Sequence, residues 1–113
     1  MSADLQREPD YDALLQTLLQ KSREGKLVWQ ETADPASFIA AARGERTFEI
    51  SRSGDSFDLT VCDSQGRQIL RMSAATHNVV YFDSVRDLYQ LAKRIATHLD
   101  EKIDSTMELL GSL

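Results

Sequence analysis

The spacing of apolar residues changes along this chain from helical to strand-like and back to helical. Tyr11 to Glu24 and Ser84 to Leu110 repeat apolar residues every three or four positions, whereas Phe38 to Met72 largely alternates them. The first pattern is typical of amphipathic helices and the second of half-buried strands. We therefore predict an α+β fold, in which a four-stranded antiparallel meander carries an N-terminal helix and a long C-terminal helix on one face.

The first helix has clear start and stop signals. Asp10 is expected to cap it, because its carboxylate can accept hydrogen bonds from the free amides of the first turn. Gly25 supplies the left-handed residue that ends it. Trp29, the only tryptophan, follows in the connection to the sheet, and we expect it to anchor that corner in the core. Residues 1–9 are polar and are expected to be disordered.

Glycine-containing turns divide the strand region, of which the first strand is expected at Ser37 to Arg43. Gly44-Glu45 and Gly54-Asp55 each fit a two-residue hairpin loop. Counting from these loops predicts four inward-facing pairs: Ala41–Phe48, Ile39–Ile50, Ile50–Leu59 and Phe48–Val61. The third turn, at Asp63 to Gly66, fits two loop lengths, and the sequence leaves both open. One of them turns Ile69 inward, and the other turns Leu70 and Met72 inward.

The opposite face of the sheet is expected to stay free of helices, because its side chains are polar. These side chains are Thr47, Glu49, Ser51, Asp58, Thr60 and Cys62. Ser84 with Asp87 fits a capping box for the last helix. A break of that helix between Thr97 and Asp100, where N-cap residue types recur, stays open as an alternative.

The composition is that of one domain covering residues 1–113 and ordered apart from its ends, with 42% apolar and 27% charged residues. The formal net charge of −5 repels a phosphate backbone, so we expect no nucleic-acid partner. The single cysteine, Cys62, excludes an internal disulfide and indicates a reducing cytoplasm. No segment reads as a signal peptide or membrane span.

No pattern in the sequence predicts catalysis or a cofactor. Cys62 and His77 are the only residues that resemble a nucleophile with its base, and Cys62 falls in mid-strand rather than at a helix N-terminus. His77 and His98 lack the spacing of a helical zinc pair, so we expect no metal. Three carboxylates near the turns are expected to be turn formers or solvent-facing groups: Asp55, Asp58 and Asp63.

The chain resembles a group of small bacterial domains of unknown function. The shared features are the corner Gly25 to Trp29, the strand motif Phe48 to Ile50, the helix motif Leu88-Tyr89 and the ending Asp100 to Asp104. The resemblance covers Tyr11 to Leu110. It implies an α-β-β-β-β-α fold and a bacterial or mobile-element origin, and it carries no catalytic residues.

These observations favour a non-enzymatic protein-binding or regulatory module of the immunity, antitoxin or inhibitor kind, able to form a homodimer. The predicted partner-binding residues lie on the last helix and on the polar sheet face: Ile103, Met107, Leu109, Leu110, Glu49, Asp58 and Thr60. The alternative is a small-ligand sensor or sequestering protein with a pocket at Trp29, Tyr81 and Arg86. A secretion chaperone fits the strand and helix order less well, and a cysteine hydrolase would need an activated Cys62.

Overall fold

The chain is described from a computed structural model that covers residues 10–75 and 81–113. Its elements in chain order are α1 (Tyr11–Arg23), β1 (Gln30–Glu31), β2 (Ser37–Ala42), β3 (Arg46–Ser53), β4 (Ser56–Asp63), β5 (Gln68–Ala75), α2 (Phe82–Ala96) and α3 (Leu99–Gly111). The five strands form one antiparallel sheet in sequence order. The α+β class is confirmed, whereas the prediction of four strands missed the two-residue β1, which is too short to show an alternation. The predictions for residues 1–9 and for His77 lie outside the described residues.

Helix α1 begins and ends where the sequence predicts. The Oδ1 atom of Asp10 accepts a hydrogen bond of 2.9 Å from the amide of Ala13, which satisfies one of the free donors of the first turn. Gly25 follows the helix with a φ angle of +75°. The apolar stripe of the helix is buried through Leu15, Leu18 and Leu19.

The register of the first main hairpin differs by one residue from the prediction. Phe38 pairs with Ile50 and Ala40 with Phe48, so Ile39 and Ala41 are on the opposite face. The loop is longer than two residues because Arg43 adopts a left-handed conformation with φ of +52° next to Gly44. Nothing in the sequence indicates a left-handed conformation at this arginine, so the register could not be predicted. The observed register buries Phe38, which is 2% exposed.

The other two hairpins follow the sequence more closely. The Gly54-Asp55 loop gives the predicted pairs Ile50–Leu59 and Phe48–Val61. In the third hairpin Leu59 pairs with Met72 and Val61 with Leu70, and a bulge follows Val61. The structure thus selects the alternative that turns Leu70 and Met72 inward. Ile69, the residue inserted by the bulge, is 49% exposed.

The core lies between the sheet and the helices. Helix α2 crosses all five strands, and α1 packs beside α2. The ring of Tyr89 lies 5.6 Å from that of Phe38 and 5.2 Å from that of Phe57, measured between centroids. Val85, Leu88 and Ala92 complete the buried face of α2.

The predicted single C-terminal helix is wrong, because Thr97 and His98 divide it into α2 and α3. The alternative of a break between Thr97 and Asp100, which the sequence left open, is confirmed. His98 has a φ angle of +53°, which turns the backbone out of the helical path. The predicted capping box is also wrong. Helix α2 begins at Phe82, and the hydroxyl of Ser84, inside its first turn, accepts a hydrogen bond of 3.3 Å from Nε2 of Gln16.

Candidate functional site

Helix α3 stands apart from the rest of the fold. Among the described elements it contacts α2 alone, and none of its residues is buried in the part of the chain that the structure describes. The longest dimension of the molecule is 70 Å, against 34 and 25 Å in the other directions. An isolated helix of about 12–15 residues is marginal in water, so the 13-residue α3, which has no buried side chains, gains little stability from packing on the rest of the described fold.

The exposed side chains of α3 divide into an apolar and an acidic face. Six large apolar side chains, five on α3 and one two residues after its end, are between 44% and 91% exposed: Leu99, Ile103, Met107, Leu109, Leu110 and Leu113. Their spacing of three and four residues places most of them on one half of the helix. The acidic residues are on the other half: Asp100, Glu101, Asp104 and Glu108. The predicted partner-binding residues of the last helix are therefore together on one surface.

The junction between α2 and α3 is held by polar contacts. The amide of Thr97 donates to the carbonyl of Lys93 at 2.9 Å, and the amide of His98 donates to that of Ile95 at 3.1 Å. Across the break, Nη2 of Arg94 lies 2.8 Å from Oδ1 of Asp100. Both side chains are more than half exposed, so this ion pair contributes at most about 1 kcal/mol. The orientation of α3 therefore rests on weak contacts.

The other predicted partner-binding residues form rows on the sheet face opposite to the helices. Thr60 pairs with Glu49 on one side and with Arg71 on the other. Asp58 accepts a hydrogen bond from the hydroxyl of Ser73, and its Oδ1 lies 3.5 Å from Nη2 of Arg71. Glu49, Asp58 and Thr60 are thus close to one another, but they belong to a different surface from α3.

The three residues of the predicted ligand pocket are not brought together. Trp29 is 1% exposed, and it binds Ser22 at the end of α1. Tyr81 packs on Tyr11 at the start of α1, with 6.0 Å between ring centroids. Eleven residues of helix separate these two ends, which corresponds to about 16 Å. Arg86 lies over the ring of Phe82 and pairs with Asp83.

Most of the described residues that were considered for catalysis or metal binding lie in β4 or next to it. Cys62 is a half-buried free thiol in β4. No group of three or more His, Cys, Asp or Glu side chains suited to a metal occurs within residues 10–75 and 81–113. Asp63 accepts hydrogen bonds from the amides of Gln65 and Arg67 at 2.9 and 3.0 Å. Mainly through the Arg67 amide, these contacts hold the pKa of the Asp63 carboxyl below its usual value.

A groove that the sequence did not reveal lies between α1 and the edge of the sheet, and we name it the α1–β2 groove. It has a volume of about 630 Å³, and its floor and walls are apolar: Leu14, Leu18, Leu27, Ala41, Ala42 and Phe48. Lys21, Lys26, Arg43 and Thr17 form its rim. No carboxylate lines the groove among the described residues. Three of the rim residues are basic, namely Lys21, Lys26 and Arg43. Their charge is visible in the sequence, but only the fold places them around one groove.

None of the described helices has the length and the apolar content needed to cross a membrane. Comparisons of this chain with protein-family models, with curated proteins and with solved structures found no match. The resemblance to small bacterial domains therefore stays a prediction.

Proposed function

We propose that this protein is a non-enzymatic protein-binding or regulatory module of the immunity, antitoxin or inhibitor kind, which docks on a protein partner through α3. The observation that carries the proposal is the apolar half of α3, whose large side chains are exposed on a helix that touches only α2 among the described elements. Large exposed apolar surfaces commonly mark interaction sites. The single Cys62 supports a reducing cytoplasm as the place of action.

The energetics of α3 indicate what such a partner must offer. Full burial of a leucine or methionine contributes about 1.5–3 kcal/mol, so six side chains that are already partly covered would contribute roughly 5–10 kcal/mol. Association costs about 4–15 kcal/mol. Burial of the apolar face alone therefore only just offsets the cost of association, so polar contacts must contribute to a stable complex. The acidic half of α3 predicts an apolar groove with a basic rim on the partner.

Affinity capture from a lysate of the native host tests this function. The bait proteins are the unaltered chain, the variant Met107→Asp/Leu110→Asp, and the control Ser105→Asp/Ser112→Asp. The control adds the same charge on the polar side of α3 and at the residue that caps its C-terminus. We expect one dominant protein that the unaltered chain and the control retain and the Met107/Leu110 variant loses. Equal capture by all three baits would contradict docking through α3.

The alternative of a small-ligand sensor has no comparable support. Two of its predicted residues, Trp29 and Tyr81, lie at opposite ends of α1, and the Trp29 indole is buried in the core.

A further inference from the structure

We propose that α3 of one copy docks in the α1–β2 groove of a second copy, and that the exchange is reciprocal within a dimer. The inference rests on the proposed function, because α3 is the docking element in both. It names the surface to which α3 binds when no other partner is present. A heterologous partner would then compete with the second copy for α3, and dimerisation would regulate partner binding.

The apolar parts of helix and groove match in length. The groove follows α1 from Leu14 to Lys21, and these positions are seven residues or about 10 Å apart along the helix axis. On α3, Ile103, Met107 and Leu110 form one stripe that also spans seven residues. Their exposed fractions of 49%, 63% and 56% leave these side chains free to enter the groove. The groove therefore matches in length the apolar stripe on the two central turns of α3.

The charges decide between this arrangement and a direct pairing of two α3 helices. Four carboxylates against Lys102 leave α3 with a charge of −3. The exposed Lys21, Lys26 and Arg43 surround the groove. Glu24, whose Oε1 lies 3.6 Å from both lysine Nζ atoms, reduces the local charge to +2. A pair of α3 helices would bring like charges together, whereas the groove offers the opposite sign.

The position of α1 favours a second copy over the chain's own helix. The groove is lined by Leu14, Thr17 and Lys21, which share one side of α1. Gln16, on another side, meets Ser84 of α2. Helix α1 therefore separates the groove from α2, and α3 leaves from the end of α2. To reach its own groove, α3 would have to break the Arg94–Asp100 contact and pass around α1.

The expected dimer is weak. Three inserted side chains of roughly 80 Å² each, with an equal groove surface and two contacts per dimer, bury on the order of 1,000 Å². This is the lower end for specific interfaces. We expect dissociation on dilution. We also expect weaker association as salt rises from about 50 to about 500 mM, since the contact is between opposite charges at the surface.

Analytical ultracentrifugation over a concentration series tests the proposal with full-length variants. Lys21→Glu/Arg43→Glu reverses the groove rim, and Lys93→Glu/Arg52→Glu makes the same charge change at exposed sites elsewhere. The rim variant should raise the dimer dissociation constant at least tenfold, and the control should change it less than threefold. A rim variant that dimerises normally, or a dimer strengthened by salt, would instead indicate α3–α3 pairing and overturn the proposal. An unaltered chain that stays monomeric at the highest concentration would also overturn it.

A mixing experiment tests the reciprocity. Met107→Asp/Leu110→Asp retains the groove and loses the helix, whereas Lys21→Glu/Arg43→Glu retains the helix and loses the groove. When the two variants are mixed, the intact α3 of one can still dock in the intact groove of the other, which retains one of the two contacts of the dimer. The mixture should therefore form heterodimers, whereas neither variant alone should form a dimer. If no heterodimer forms, the reciprocal exchange is wrong. The rim variant retains α3, so its capture of a host partner reports on the proposed function independently of the dimer.

Discussion

The indole Nε1 of Trp29 donates a hydrogen bond of 2.9 Å to the hydroxyl of Ser22, which itself donates one of 2.7 Å to the carbonyl of Leu18. Both side chains are buried, with 1% and 3% exposure. The last turn of α1 is thereby connected to the segment that enters the sheet. This contact fixes the orientation of α1 relative to the segment that leads into β1.

Replacement of Ser22 by alanine should leave the buried Trp29 N–H without a partner. An unsatisfied buried donor costs about 1–3 kcal/mol, so we expect a loss of that size in the free energy of unfolding, measured by urea denaturation. The control Ser105→Ala, on an exposed side of α3, should stay within about 0.5 kcal/mol. Equal stability of both variants would mean that water or another acceptor satisfies the indole.

Two neighbouring alanines test the register of β2 and β3. Ala40 is 3% exposed in the core, whereas Ala41 is exposed on the other side of the strand. Ala40→Asp should prevent folding or cost several kcal/mol, because it places an unpaired charge in the core, and Ala41→Asp should be tolerated. Thermal unfolding followed by circular dichroism measures both. The opposite ranking would restore the register in which Ala41 faces inward.

The fold was predictable from the sequence where local chemistry and burial agreed. Asp10 and Gly25 mark the ends of α1, and the Gly54-Asp55 loop fixes the pairs Ile50–Leu59 and Phe48–Val61. Prediction failed where the backbone conformation has no signature in residue type. The left-handed Arg43 shifted one register, since arginine occupies helices and strands more often than such positions. The left-handed His98 divides the last helix within the range where recurring N-cap residue types had left a break open, but those residue types could not decide between one helix and two.

The candidate site was predictable only in part, for a related reason. The apolar residues Ile103, Met107 and Leu110 could be identified by their helical spacing, because an unsatisfied apolar stripe is a local property. The basic rim of the groove joins Lys21 on α1 with Arg43 in a hairpin loop. These positions have no periodic relationship along the chain, and only the packed structure places them around one cavity.

The carboxylate of Asp63 predicts a pH effect with a definite sign. Hydrogen bonds from the Arg67 and Gln65 amides, together with Nε of Arg67 at 3.1 Å, lower its pKa in the folded state below the unfolded value of 3.8. The charged form is thus favoured by folding, so this group stabilises the fold above about pH 4, and the effect is lost as the pH falls through the folded pKa.

Asp63→Asn isolates the charge, because an asparagine keeps an acceptor oxygen for the two amides. We expect a lower melting temperature than that of the unaltered chain at pH 6–7, and a difference that shrinks below about pH 4. Asp55→Asn, at an exposed position in another turn, is the control and should show a smaller difference. A difference for Asp63→Asn that is independent of pH would indicate a purely geometric role.

Hydrogen exchange should separate α2 from α3 in dilute solution. The amides of α2 belong to a helix with five buried residues: Val85, Leu88, Tyr89, Ala92 and Ala96. Those of α3 belong to a helix with none in the described structure. Local opening needs less free energy where few apolar contacts are lost, so α3 should exchange much faster than α2.

Protection of α3 should then rise with protein concentration in the unaltered chain, and much less in Met107→Asp/Leu110→Asp, because a partner surface covers the helix only in the former. If α3 is as protected as α2 at high dilution, it must pack on its own domain, and a docking role for its apolar half would lose its basis.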